Sequence, residues 1–151
     1  MSERIWKPNV TVAALMEDRG RFLMVEEHTS GGLMLNQPAG HLEEGESLVE
    51  ACAREAMEET AHPFEPRELV GVYQWRRPDG EVTYLRFAFA GDAGEQIAGR
   101  ALDDGIVRAI WMTPAEIEAS RARHRSPLVW ACVQDWLAGV RLPLTVVRHF
   151  S

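Results

Sequence analysis

Between Gly40 and Thr60 the chain reads GHLEEGESLVEACAREAMEET, seven glutamates in twenty-one residues, and three of them (Glu55, Glu58 and Glu59) fall within five positions. Carboxylates are hard oxygen donors: grouped they hold divalent cations, and singly they exchange protons. Successive residues of an α-helix lie about 100° apart, so Glu55, Glu58 and Glu59 share an arc of roughly 100°, on the same side as Leu48, Ala51 and Cys52. A solvating charge run would occupy the face opposite the apolar residues, because taking ionised groups out of water is costly unless something pairs with them. Here the acids extend the apolar stripe. Arg54 lies one turn from Glu50 and from Glu58 and neutralises part of the charge, but one guanidinium does not balance the cluster. A divalent cation does, and hard carboxylate oxygen ligands suit Mg2+ or Mn2+.

The helix that must carry these groups has clear ends. Ser47 and Glu50 form a capping box, apolar Leu48, Val49, Ala51, Cys52 and Ala56 recur at helical spacing, and Pro63 forbids continuation. Ahead of it, VTVAALM (10–16) and RFLMVEE (21–27) read as strands joined by a hairpin with Gly20 at positive φ. LMLNQPAG (33–40) reads as a further short strand running into Pro38 and Gly40. After the helix, LVGVYQW (69–75) and VTYLRFAFA (82–90) form another expected antiparallel pair, and IVRAIWM (106–112) a last strand. Thr113, Pro114 and Glu116 open a helix by a second capping box, and Ser126 and Pro127 open another that runs to about Leu137 and closes at Gly139. Strands around one central helix, with two late helices, predict an α/β fold in which a mixed sheet is covered on both sides.

The chain has 151 residues and 46% hydrophobic content, enough for one core, so a single domain over 1–151 is expected. A formal charge of −7 and a pI near 5.2 speak against a nucleic-acid polymer as partner, since phosphate backbones are held by clustered Lys and Arg. Cys52 and Cys132 are far apart and without CxxC spacing, which points away from zinc and disulfides and towards reduced thiols. With no stretch apolar enough for a signal or a membrane span, a soluble cytoplasmic protein without membrane contact is expected.

Gly40, Glu46 and the run Arg54, Glu55, Ala56, Met57, Glu58, Glu59 resemble, in register, the Nudix box G-x5-E-x7-R-E-U-x-E-E-x-G-U, here spanning 40–61. Ala61 stands where that pattern has glycine, and His62 where it has an apolar residue. The order of elements is similar to the Nudix fold, an α/β/α sandwich whose box forms loop, helix, loop. NQPAGHLE, YQW (73–75), LRFAFA (85–90) and RSPLV (125–129) are similar to the bacterial NudJ-type phosphatases of that family. The resemblance implies a small Mg2+-dependent hydrolase of phosphoanhydride bonds. Its expected substrates are nucleoside tri- and diphosphates, hydroxymethylpyrimidine pyrophosphate and thiamine diphosphate, handled by a monomer or homodimer.

On that resemblance Glu58 and Glu59 are the leading metal ligands, Glu55 is ligand or base, and Glu46 and the Gly40 carbonyl complete the shell. Arg54 orients the glutamates. An acidic group from the later loop ALDDG, Asp103 or Asp104, joins them, although Asp-Asp-Gly is also ordinary turn chemistry. Arg86, flanked by apolar Leu85 and Phe87, is a phosphate-binding candidate. Trp75 could stack on a ring, while Tyr73 reads as core. Gln37 and Gln74 are polar selectors, and Arg125 reaches phosphate or forms a surface salt bridge. A non-catalytic Nudix-like module that senses a nucleotide or cofactor is the competing reading; loss of a box carboxylate would signal it, and this chain keeps them all.

Overall fold

The computed structural model describes residues 3–151. Strands β1 (Asn9–Asp18) and β2 (Arg21–Thr29) are joined by a two-residue turn in which Arg19 and Gly20 both have positive φ, 52° and 79°. The twist of a tight hairpin requires this of both central residues. The Gly20 N–H donates to Glu17 Oε1 at 2.7 Å.

The strand expected over 33–40 is in fact two. β3 (Gly32–Asn36) pairs with β2 and β4 (Ala39–His41) with β1, both antiparallel. The break falls at Gln37 and Pro38: proline has no N–H for a ladder, and its carbonyl accepts from Ala14 N–H at 2.9 Å. Helix α1 (Leu48–Thr60) starts with the expected box, Ser47 and Glu50 exchanging two hydrogen bonds, and ends at Ala61 in the left-handed conformation (φ 60°). β5 (Phe64–Arg76) begins earlier than the sequence suggested and carries two irregularities before Gly71; β6 (Thr83–Ala93) pairs with it antiparallel.

β7 (Ile106–Met112) joins β2, α2 (Pro114–Ala119) has its capping box at Thr113 and Glu116, and a short 3-10 turn (Arg121–Arg123) leads to α3 (Leu128–Leu137). Ser126 Oγ accepts from the Leu128 N–H at 3.2 Å, while Gly139 (φ 83°) turns the chain after the helix. β8 (Leu142–Pro143), two residues against β5, was too short to foresee.

The strand order is β3-β2-β1-β6-β5-β8, with β4 on β1 and β7 on β2. β1 and β6 run parallel and the other strand pairings are antiparallel, so the sheet is mixed. Alternation along β1 sorts the core. Val12, Ala14 and Met16 pack with Ala51, Cys52 and Ala56 of α1, whereas Ala13 and Leu15 pack with Val129, Trp130 and Val133 of α3. Helices therefore cover both faces of one sheet, an α/β/α sandwich. Among the described residues no helix is long and apolar enough to cross a membrane.

Ala61 tests how well this chain tolerates alanine at the helix end. Glycine there would relieve roughly 1–2 kcal/mol of left-handed strain. It would also forfeit a buried methyl worth about 0.8 kcal/mol and add unfolded-chain entropy worth about 0.4–1 kcal/mol. These effects nearly cancel. In urea unfolding, Ala61→Gly should stay within about 1 kcal/mol of the parent, while branched Ala61→Val should lose about 2 kcal/mol or more.

Candidate functional site

Arg54 is the hub of the acidic helix. Its Nε and Nη2 donate to the two oxygens of Glu46 (3.0 and 2.7 Å), and Nη1 donates to Glu55 Oε1 (2.8 Å) and Glu58 Oε2 (3.2 Å). Nη2 also donates to the His41 carbonyl at 3.0 Å, tying the helix to the end of β4. Glu46, expected among the ligands, is thus engaged as the bidentate partner of Arg54, whose hydrogen bonds hold its carboxyl below the usual carboxylate range.

Carboxylate oxygens of Glu55, Glu58 and Asp103 lie within 4.8 Å of one another. Asp103 belongs to the group and Asp104 does not, because the Asp103 N–H donates to the Glu58 carbonyl at 2.9 Å and pins the loop to the end of α1. Gly40 sits directly against this group: a Cβ there would meet Glu55 Cδ at 2.2 Å. Glu59 lies outside the three-residue cluster, and its Oε1 accepts from the Ala39 N–H at 2.9 Å.

Glu55 and Glu59 are each only 9% exposed. Burial pushes the Glu59 carboxyl up to about 8, and the nearby charges of Glu55, Glu27 and Asp103 add to the shift against the Ala39 hydrogen bond. Glu55 is raised too, first by burial and also by Glu58 and Asp103, against the pull of Arg54. Among the described residues, the ion pairs of these acids come from Arg54 alone. A set of oxygen donors this crowded and this poor in positive charge fits a hard divalent cation.

The other candidates, Gln74 excepted, fall on the α3 side or at its rim. Arg86 is 6% exposed and donates to Gln37 Oε1 (2.8 Å), Asn36 Oδ1 (3.0 Å) and, weakly, Cys132 Sγ (3.8 Å), with no carboxylate among these partners. Gln37 is buried, and its Nε2 donates to the Val129 carbonyl at 2.7 Å, so both ends of its amide are used inside the protein. Tyr73 packs against the α3-side core and donates to Asp135 Oδ2 at 2.6 Å. Trp75 stacks on Tyr84, ring centroids 5.9 Å apart and planes 14° apart. Gln74 is exposed and, by strand alternation, on the opposite face from Trp75. Arg125 donates to Glu27 Oε1 at 2.9 Å. Glu27 was not foreseen, since a glutamate ending a strand reads as solvent-facing; its carboxylate pairs with Arg125, and its charge adds to the upward shift of Glu59.

A NUDIX domain profile matches residues 6–131, most of the chain. Over 147 residues the chain is 40% identical to phosphatase NudJ of Escherichia coli K12, covering 97% of this chain and 95% of that protein, and equally so to phosphatase NudJ of Shigella flexneri. A solved NUDIX hydrolase from Nitrosomonas europaea is 50% identical and superposes with a TM-score of 0.93, covering 95% of this chain and 98% of its own. A MutT protein from Methanosarcina mazei, 22% identical with a TM-score of 0.71 over 90% of this chain and 99% of that one, shares the fold.

Between the ordinary carboxylate value of 4.5 and the raised value of about 8, Glu59 binds a proton in the folded chain that the unfolded chain has released. Stability must therefore fall as pH rises through that window, by up to about 1.4 kcal/mol per pH unit. Urea unfolding in chelator should show this decline, and Glu59→Gln should flatten it. Gly40→Ala forces the Glu55 carboxylate aside. Thermal melts should find the variant as stable as the parent without metal, but no longer raised in Tm by Mn2+.

Proposed function

The chain belongs to the Nudix hydrolase family, and on that premise we propose that it cleaves phosphoanhydride bonds of nucleoside tri- and diphosphates and of thiamine-related pyrophosphates, using Mg2+ or Mn2+. The thiamine-related substrates meant are hydroxymethylpyrimidine pyrophosphate and thiamine diphosphate. The observation that carries the reading is the crowding of Glu55, Glu58 and Asp103, with Glu59 nearby, where Arg54 alone pairs with Glu55 and Glu58.

In this reading Glu55, Glu58, Glu59, Asp103 and the Gly40 carbonyl hold the metal. A divalent cation there supplies charge neutralisation on the phosphate oxygens and a more acidic attacking water. The protein's own groups do the positioning. Arg54 fixes Glu55 through Oε1 and leaves Oε2 as ligand or proton acceptor. The same Nη1 holds Glu58 Oε2, so both carboxylates stay in one orientation while the substrate exchanges.

Arg86 is well placed to favour an anion, because its partners Gln37, Asn36 and Cys132 accept hydrogen bonds without cancelling its charge. Gln37 then acts as the holder of Arg86. Arg125 stands at the rim beside Glu27, where an incoming phosphate competes for the same guanidinium. A small molecule rather than a polymer fits this acidic surface.

Incubation with nucleoside tri- and diphosphates, hydroxymethylpyrimidine pyrophosphate and thiamine diphosphate, with and without Mg2+, should release orthophosphate or pyrophosphate only when metal is present. Glu59→Gln, nearly constant in shape, should lower kcat by roughly two orders of magnitude or more with unchanged circular dichroism. Metal-independent release, or full activity in the variant, would defeat the assignment.

A further inference from the structure

Beyond the carboxylate cluster, at the end of β5, a cavity of about 480 Å³ is bordered by Trp75, Trp130, Pro127, Arg121, His124 and Arg125, with no aspartate or glutamate on its wall. Its size is that of a site for a small organic ligand. Tyr84 covers one face of the Trp75 indole and sets its plane, so Trp75 gives the cavity the uncovered part of its ring. The site is built on firm supports: Trp130 is buried in the α3-side core, and the turn carrying Arg121 is held by the Arg123 ion pair with buried Glu26.

Arg125 connects this cavity to the acidic helix. It lines the cavity, its side chain donates to Glu27, and its backbone N–H donates to the Leu35 carbonyl. From Leu35 the chain runs four residues to Ala39, which donates to Glu59. A ring in the cavity and a diphosphate at the carboxylates would thus lie on either side of Arg125.

We propose that the cavity between Trp75 and Trp130 holds an uncharged planar ring of the substrate, a pyrimidine or purine base, while its phosphates extend past Arg125 to the acidic cluster. Tryptophan faces alone would also attract a cationic ring. Arg121, on a wall that includes no aspartate or glutamate, decides against one, while Arg125 is paired with Glu27 at the cavity's edge. This inference rests on the hydrolase reading and adds to it the ring, its charge and the residues that select it.

Two measurements test it. The first is the ratio of kcat/KM for cytidine triphosphate to that for inorganic triphosphate, which has no ring. Trp75→Ala should lower the ratio about tenfold or more, as expected for loss of base–aromatic stacking, and Trp75→Phe should largely restore it. A ratio unchanged in Trp75→Ala overturns the proposal. The second needs no turnover: the 15N-labelled protein is titrated with cytidine monophosphate in the absence of metal. The indole N–H peaks of Trp75 and Trp130 should move while that of exposed Trp6 stays fixed. Nicotinamide mononucleotide, whose ring is cationic, should bind at least about tenfold more weakly. Static Trp75 and Trp130 peaks overturn the site, and equal binding of the two nucleotides overturns the charge selection. Absence of metal-dependent hydrolysis with intact indole shifts would fault the hydrolase reading alone.

Discussion

Four glutamates, at positions 43, 46, 55 and 58, converge on the guanidinium of Arg54. A planar fork of five donors can serve several carboxylates at once, each along a fixed direction, where an ammonium would act as a single point charge. The orientation of the acidic helix face depends on that geometry. The fork satisfies hydrogen bonds without balancing charge, because one positive group faces several negative ones. Burial raises the cost of the surplus at Glu55 and Glu59, and both respond by holding protons more tightly. The site is therefore ordered in shape and short of positive charge, which is the state a metal-binding centre needs before its ion arrives.

The fold supplies what one helix cannot. The interruption at Gln37 and Pro38 lets a single stretch pair first with β2 and then with β1. That switch brings the Ala39 N–H to Glu59 and the bare Cα of Gly40 against Glu55. From the other side of the sequence, the loop before β7 hooks onto the last turn of α1 through the Asp103 N–H. Two segments distant in sequence thereby meet at one end of α1, residues 39–40 against the Glu55 and Glu59 carboxylates and the Asp103 loop through a backbone hydrogen bond.

A second polar system occupies the α3 face of the sheet. Arg86, Gln37, Asn36 and Cys132 share hydrogen bonds there, and Tyr73 reaches Asp135 nearby. No buried side-chain nitrogen or oxygen among the described residues is left without a partner, so the network adds order at little cost in unsatisfied groups. Glu26 does the same at the edge: burial favours its neutral form, but Arg108 and Arg123 outweigh that and keep it ionised. Their pairing fastens β7 and the 3-10 turn to β2, which in turn sets the cavity wall.

The sequence by itself determined what is local. Capping residues and apolar spacing defined α1 and α2, Gly20 marked the hairpin, and the spacing of Glu55, Glu58 and Glu59 put them on one helix face. Each depends on residues a few positions apart, where backbone geometry alone sets the neighbours. Tertiary structure decided what is long-range. It split residues 33–40 into two strands, chose Asp103 over Asp104, enclosed Gln37 and paired Glu27 with Arg125. Those outcomes rest on which strands lie next to one another and where each loop is pinned, and side-chain type carries no record of a partner fifty residues away.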